Sequence, residues 1–397
     1  MKHRFPSLVP PFFFILAGAA LLASGCAQKK ELSVPEDVPM TPGAHRWFYF
    51  ADGNFKQVDK PRNAPYLPSK PWTEATRISA ASCAAASSMD DAPKAYAVVN
   101  RQGILVFDGA EAALHSDAQL FTGRTAGNIV FYGATPIFSL YRSTFFNDRN
   151  NTARQLHPFL VQFQPEQNVS YPIISVENLN LGENAEVTDF IWDGQFWTCS
   201  IKTDGRDAIS FSYLTFQEKE PITTLTPATA SAGIFITEAQ QEAFRAAQRP
   251  RPFSQAPQRL QALCASLPET AECAVKCHTA GGHSPRTYIR ESGDRKLLGS
   301  ISILKANALI AETWICAVFQ DGTVFFNGAL HGRRILNSGR TLALRLPKLP
   351  AGFVYGEFAI SDATLYAAWE ETSFFKTGRS GFIAVDLDEL LYKNGAL

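Results

Sequence analysis

The densest group of residues that could do chemistry contains two cysteines and two histidines within eleven positions, Cys273, Cys277, His278 and His283. Zn²⁺ binds cysteine thiolates and histidine nitrogens in tetrahedral sets, and these residue types would complete one set. The spacing differs from zinc fingers, in which two pairs of ligands are separated by a longer segment. In an exported chain, cysteines are used more often in disulfides. We therefore expect disulfide chemistry here, with zinc as the alternative.

The other cysteines extend this prediction. Apart from Cys26 the chain has six cysteines, and six cysteines permit fifteen pairings. Cys264 lies close in sequence to Cys273 and Cys277, so we predict a bridge from Cys264 to one of these two. The segment from Cys273 to His278 also resembles a stretched c-type haem attachment site, but three residues separate its cysteines instead of two. We expect no cofactor.

Catalytic motifs are missing from the sequence. It contains no glycine-rich nucleotide fingerprint, no P-loop, no nucleophile elbow and no His-Glu-x-x-His motif. Glu370 and Glu371 are adjacent carboxylates, but neighbouring residues of a strand point to opposite faces and cannot act as a pair. We therefore predict no catalytic residue, and the alternative is an envelope hydrolase or lyase.

Aromatic side chains supply the remaining candidates for binding. Most of them should pack in the core. Two adjacent pairs are different, because adjacent aromatic residues cannot both face inward on a regular strand. These pairs, Phe145-Phe146 and Phe374-Phe375, are candidate contacts for a protein or glycan partner.

The elements that must position these residues are strands. The chain has 30 phenylalanines and only 3 methionines, a composition that favours β structure over helical bundles. Asp-Gly pairs lie between β-rich runs and tolerate the positive φ of tight turns, so each predicts a hairpin. They begin at Asp52, Asp108, Asp193, Asp204 and Asp321. An Asn-Gly pair at Asn327 predicts a further turn.

These hairpins recur at the rhythm of propeller blades, about 40–50 residues. We predict an all-β fold, a six- or seven-bladed β-propeller, with two β-sandwich domains as the alternative. Residues 46–217 and 285–397 would supply the blades. Residues 218–284 are rich in Ala, Gln and Pro and contain the cysteine cluster, so they predict an insert with helices near 237–248 and 257–267.

The first 26 residues indicate where the protein goes. Lys2 and Arg4 precede an apolar run at 12–23, which is shorter than the roughly 20 residues that span a bilayer. The run ends on Ser24-Gly25-Cys26, and the segment 22–26 resembles the lipobox of bacterial lipoproteins, in which the Cys is lipidated. Because Leu22 lies one place earlier than usual, the box resembles the relaxed boxes of spirochaetes. Cleavage by an ordinary signal peptidase is the alternative.

The resemblance implies that residues 1–25 are a signal peptide and that Cys26 carries acyl chains such as palmitate. More than one acyl chain makes attachment stable. Residues 26–45 are polar with three prolines and predict a flexible tether. The protein would lie on the cell membrane or outer membrane, facing the periplasm or the exterior.

Charge narrows the class of partner. The chain carries 37 basic and 37 acidic side chains, and this balance argues against nucleic acid. Size and anchoring resemble the propeller lipoprotein of the outer-membrane β-barrel assembly machinery. We predict a non-catalytic scaffold or binding module that meets a protein partner in the envelope. A surface lipoprotein that binds a ligand or a host molecule is a further alternative.

Overall fold

A computed structural model of the chain describes residues 45–389 with gaps. By its internal contacts the chain divides into two units, residues 1–34 and 35–397, and only residues of the second are described. From residue 171 to 227 the backbone alone is described. The gaps lie at 52–53, 65–76, 85–92, 110, 122–123, 133, 143–157, 165–166, 176–184, 193–195, 205–208, 219–224, 228–241, 243–245, 247–248, 268–270, 281–284, 291–302, 330–340, 373–378 and 388.

The fold is all-β, as predicted. The strands of the first half are β1 (His45–Ala51), β2 (Asn54–Val58), β3 (Ile78–Cys83), β4 (Ala95–Val99), β5 (Gly103–Asp108), β6 (Glu111–Ser116), β7 (Arg124–Tyr132), β8 (Thr135–Arg142), β9 (Pro158–Gln164), β10 (Val169–Ser175), β11 (Ala185–Trp192), β12 (Phe196–Asp204), β13 (Ile209–Glu218) and β14 (Leu225–Pro227). A single helical turn, α1 (Ala118–Phe121), lies between β6 and β7.

The second half continues the pattern. Its strands are β15 (Arg251–Pro252), β16 (Cys273–Thr279), β17 (Arg286–Arg290), β18 (Leu304–Ile310), β19 (Trp314–Phe319), β20 (Thr323–Gly328), β21 (Leu342–Arg345), β22 (Phe353–Ser361), β23 (Thr364–Glu371) and β24 (Ser380–Asp386). The helix α2 (Gln258–Leu263) continues into a 3₁₀ turn at Cys264–Ser266, which confirms the second predicted helix. Within the first predicted helix, Glu242 and Ala246 are described and both are helical.

The five Asp-Gly pairs connect consecutive antiparallel strands, as predicted. They join β1 to β2, β5 to β6, β11 to β12, β12 to β13 and β19 to β20. Gly109 and Gly322 have φ of +56° and +89°, the region that glycine occupies without strain. The Asn-Gly pair behaves differently, because Gly328 is the last residue of β20 and pairs with Trp314.

The described strands form five sheets. Three are four-stranded and follow chain order, β3 to β6, β7 to β10 and β11 to β14. A seven-stranded sheet has the order β15-β17-β16-β18-β19-β20-β21. The fifth sheet, β2-β1-β24-β23-β22, joins the two ends of the described chain because β1 pairs with β24.

The seven-stranded sheet incorporates part of the predicted insert. Within it β16 runs parallel to β18, from Cys273 opposite Leu304 to Thr279 opposite Ile310. The cysteine cluster therefore lies in a strand in which Cys273, Val275, Cys277 and His278 are buried. Composition alone could not show this, because a short strand of small and polar residues has little hydrophobic signal of its own.

The core lies between the sheets. One buried cluster joins side chains of β1, β3 to β5 and β18 to β24, and a second joins β3 to β5 with β7 to β9. Aromatic side chains pack in this core, as expected of most of them, and Phe325, Phe326, Tyr366 and Trp369 are all buried. Tyr366 stacks on Phe107 with ring centroids 4.0 Å apart, so aromatic contacts tie β23 to β5.

Candidate functional site

A cleft of about 170 Å³ opens where β3, β18, β22 and β23 approach one another. Most of the side chains around it are polar, in contrast to the cores on either side. We call it the polar cleft, and it is lined by Arg77, Ile78, Ser79, Asn307, Gly356, Glu357, Ala368, Trp369 and Glu370.

A β-bulge in β22 forms one wall of the polar cleft. Tyr355 pairs with Trp369 and Phe358 pairs with Ala367, so Gly356 and Glu357 include one residue more than the partner strand has. A bulge bends a strand and changes the direction of a side chain, and bulges are common beside functional sites. Tyr355 and Phe358 both stay buried, while Glu357 reaches the cleft.

A second bulge lies on the opposite wall. In β3, Ile78 pairs with Val99 and Ala80 pairs with Val98, which leaves Ser79 as the extra residue. Ser79 and its neighbours Arg77 and Ile78 line the cleft. Two packed strands therefore both depart from regular pairing at the same place, which indicates a built site.

Glu357 is the centre of the charged contacts. Lys276 Nζ on β16 donates a hydrogen bond of 2.9 Å to Glu357 Oε1. His278 Nε2 lies 3.6 Å from Glu357 Oε2, which is too long for a hydrogen bond. The Glu357 side chain is only 13% exposed, so this ion pair is shielded from solvent.

His278 is a buried histidine without a hydrogen-bond partner among the described residues. Both of its ring nitrogens are buried and unpaired. Burial lowers the pKa of His278 well below 6.5, and the nearby Lys276 ammonium lowers it further. The imidazole is therefore neutral at pH 7, with one N–H donor and one free acceptor nitrogen.

The second carboxylate of the polar cleft is Glu370 on β23. Arg77 Nη1 donates to Glu370 Oε2 at 3.0 Å, and both side chains are more than one third exposed. Arg77 Nε is buried and has no partner in the described part of the chain. The guanidinium therefore keeps an unused donor beside its ion pair.

Glu370 and Glu371 have different partners, as the alternation of a strand predicts. Arg379 donates to Glu371 through Nη2 at 2.9 Å and through Nε at 3.0 Å. Arg379 also donates to the carbonyl oxygen of Arg62. Glu371 and Arg379 are 17% and 11% exposed, so this bidentate pair is much more buried than the pair of Arg77 and Glu370.

The predicted zinc ligands are separated by the pleat of β16. Cys273 and Cys277 are four residues apart and share one face, whereas His278 belongs to the face of Lys276 and contacts Glu357. His283 lies outside the described residues. Across the described ranges, no group of three or more Cys, His, Asp or Glu side chains could hold a metal ion.

The predicted bridge from Cys264 is absent from the structure. The described cysteines, Cys83, Cys264, Cys273, Cys277 and Cys316, are all buried free thiols. Cys273 and Cys277 cannot pair with each other, because four residues of a strand span about 13 Å. Burial raises the pKa of Cys264 and of Cys277 to about 12, so neither is a reactive thiolate.

Other predicted site residues lie outside the described residues. These are the lipidation candidate Cys26 and the aromatic binding candidates Phe145, Phe146, Phe374 and Phe375. The polar cleft itself was missed by sequence reasoning. One signal could have indicated it: Gly356 interrupts an otherwise strong strand pattern, and an isolated glycine in a strand suggests a bulge.

A family model matches residues 36–389, almost the whole chain after the predicted tether begins. The chain belongs to the family of unknown function DUF8086. A relative of this chain in Treponema pallidum (strain Nichols), described as an uncharacterized lipoprotein, is 23% identical over 454 aligned positions. The alignment covers 94% of this chain and 97% of the relative. The predicted resemblance to spirochaetal lipoproteins is confirmed by this match.

Solved structures give only distant matches. A thermostable family-43 glycoside hydrolase is 10% identical to this chain, with a TM-score of 0.28. The match covers 81% of this chain and 92% of the hydrolase chain. Human WBSCR16 is 9% identical to this chain, with a TM-score of 0.22. The match covers 82% of this chain and 87% of the WBSCR16 chain. TM-scores this low do not establish a shared fold. Among the residues that the structure describes, no helix has the length and apolarity needed to cross a membrane.

Proposed function

We propose that this protein is a lipid-anchored binding module of the cell envelope. Acyl chains on Cys26 would hold it at one membrane, and residues 27–45 would tether the β domain. The leader of the sequence supports this, and so does the relative that is described as a lipoprotein. The polar cleft would be the site that the domain presents to its ligand.

The five sheets would be blades of a propeller. Three sheets of consecutive antiparallel strands and the pairing of β1 with β24 support this architecture. The same pairing argues against two consecutive sandwich domains, because it places the start and the end of the described chain in one sheet. β22, β3 and β7 are each an edge strand of a different sheet. β22 packs against β3, and β3 packs against β7, as the innermost strands of propeller blades would around a common axis.

One observation carries the binding role: both carboxylates of the polar cleft are already held by cations. Glu357 pairs with Lys276, and Glu370 pairs with Arg77. Paired carboxylates accept hydrogen bonds from a ligand and are poorly placed to donate a proton as a general acid. A cleft that two bulges build and two ion pairs organise is suited to recognition.

The anchor can be tested by labelling cells with a radioactive fatty acid. The wild-type chain should incorporate the label, and Cys26→Ser should not. Equal labelling of the two chains, or labelling of neither, would contradict the anchor.

A protein partner can be sought by cross-linking and affinity capture from native envelopes. A protein that cross-links to the wild-type chain, and no longer does so when the tether 27–45 is deleted, would support the scaffold role. Capture of the same proteins by an unrelated lipidated β domain would contradict it.

An envelope hydrolase or lyase is the second candidate. Glu357 and Glu370 line the polar cleft, and the neutral His278 lies 3.6 Å from Glu357; general acid–base catalysis uses these residue types. Turnover of any cleft ligand by the wild-type chain, abolished in His278→Gln, would favour the enzyme. Recovery of the ligand unchanged would favour the binding module.

A further inference from the structure

The polar cleft has unused hydrogen-bonding groups of both kinds. Arg77 Nε is a buried donor without a partner in the described part of the chain. Glu357 Oε2 has only the long contact to His278, and none of the described hydrogen bonds reaches Glu370 Oε1. Buried polar groups are almost always paired, so the Arg77 donor indicates a ligand that accepts a hydrogen bond, and the two carboxylate oxygens beside it can accept from a ligand that also donates.

The charges of the cleft favour a neutral ligand. Two carboxylates face two cations, Lys276 and Arg77, and His278 is uncharged. A cationic ligand would have to compete with Lys276 and Arg77 for carboxylates that are already paired. An anionic ligand would lie beside both carboxylates and be repelled.

The size of the cleft favours a small ligand. Its volume of about 170 Å³ is well below the range of about 300–1,000 Å³ that holds drug-sized molecules. Adjacent hydroxyl groups on one small ring donate to carboxylate oxygens and accept from a guanidinium at the same time. The planar side chains of Glu357, Glu370, Arg77 and Asn307 offer that combination around the cleft.

We propose that the polar cleft binds a small neutral polyhydroxyl compound of monosaccharide size, with Glu357 and Glu370 accepting from its hydroxyl groups and Arg77 Nε donating to them. This inference rests on the proposed function, in which the cleft binds a ligand, and it names the chemical class of that ligand. The bulge of β22 and the ion pairs to Lys276 and Arg77 hold the carboxylates in place before binding, which reduces the entropy lost on association.

The test is saturation-transfer NMR on the full-length protein in detergent. The probes are D-glucose, D-galactose, D-mannose, D-xylose and myo-inositol, each at millimolar concentration, against glycine, L-lysine and acetate. We expect saturation transfer to at least one of the polyhydroxyl probes and to none of the charged probes.

Two conservative variants locate the binding. Glu357→Gln replaces an acceptor oxygen with a donor, and Arg77→Lys removes the Nε donor but keeps the positive charge. Each variant should raise the dissociation constant about tenfold, because each loses one hydrogen bond to a charged group. Glu242→Gln and Arg249→Lys are the matched controls, because this exposed ion pair does not line the cleft, and both should bind like the wild type. Circular dichroism checks that each variant is folded.

The outcomes separate this inference from the proposed function. Binding of glycine, L-lysine or acetate that the cleft variants weaken would overturn the polyhydroxyl class and leave the binding role intact. Sugar binding that the cleft variants leave unchanged would overturn the inference. Absence of binding by every probe would also overturn it, and would remove the support that the cleft gives to the proposed function.

Discussion

The strands β3 and β22 contribute to two regions with opposite chemistry. In the first, which we call the apolar seam, Cys83, Cys316 and Ile360 are at most 1% exposed. The Cys83 thiol donates to the Ile360 carbonyl oxygen at 2.8 Å and accepts from the Ile360 N–H at 3.3 Å. In the second, the polar cleft, the same two strands bulge and present Ser79 and Glu357.

The difference between the two regions separates stability from recognition. Burial of apolar area in the seam stabilises the fold, at about 25 cal/mol per Å². The cleft contains unpaired buried donors, which cost free energy of folding unless a ligand pairs them. Only two residues lie between Glu357 and Ile360, so the bulge is what divides the two environments along one strand.

The seam should show the largest effect on stability. Ile360→Ala removes buried methyl groups and leaves a cavity, so we expect the free energy of unfolding to fall by about 3 kcal/mol in urea denaturation. Ile360→Val is the matched control and should cost about 1 kcal/mol. Equal and small losses in both variants would show that the seam is loosely packed.

The buried ion pair of Glu371 and Arg379 should have the second-largest effect on stability. Glu371→Gln replaces the carboxylate partner of the largely buried Arg379 guanidinium with a weaker neutral acceptor, and we expect a loss of about 2 kcal/mol in the same denaturation experiment. An unchanged midpoint in urea would mean that solvent compensates for the lost charge.

The dependence of stability on pH should identify His278. Its folded pKa is depressed, so below the unfolded value of about 6.5 the unfolded chain binds a proton that the folded chain does not. Stability should therefore fall as the pH falls from 6.5 to 5.5, by up to about 1.4 kcal/mol per pH unit for this histidine.

His278→Gln should reduce this slope in urea unfolding measured at several pH values. Some slope should remain, because burial also lowers the pKa of His45 and of His115. The same slope in the variant and the wild type would show that His278 is accessible to protons in the folded state.

The smallest effect should come from the cleft itself. Glu370→Gln breaks an ion pair that is more than one third exposed, and such pairs contribute about 1 kcal/mol or less. We expect a change of less than about 1 kcal/mol in urea unfolding. A loss as large as that of Glu371→Gln would assign the Arg77 pair to structure and weaken the contrast with the seam.

The cysteines remain open to a direct test. Mass spectrometry of the exported protein with and without reduction would detect the predicted bridge from Cys264. The structure predicts that all five described thiols stay unmodified by an alkylating reagent until the protein unfolds, because each is buried. Rapid alkylation in the folded state would contradict this burial.

Local patterns in the sequence determined much of this protein. Five Asp-Gly pairs located hairpins, since Asp and Gly tolerate the backbone conformations of tight turns without help from the rest of the chain. The alternation of a strand was enough to separate Glu370 from Glu371. The leader showed its resemblance to lipoproteins through composition and a short motif alone.

Tertiary structure decided the features that join distant segments. The pairing of β1 with β24 and the parallel alignment of β16 with β18 bring together residues that no local pattern relates. Because residues 273–279 form a strand of this sheet, the two cysteines lie on one face and His278 lies on the other, which separates the candidate metal ligands. The polar cleft exists only because bulges in β3 and β22 meet, with Lys276 contributed from a third strand. A bulge depends on the register between partner strands, and register is a property of the folded sheet.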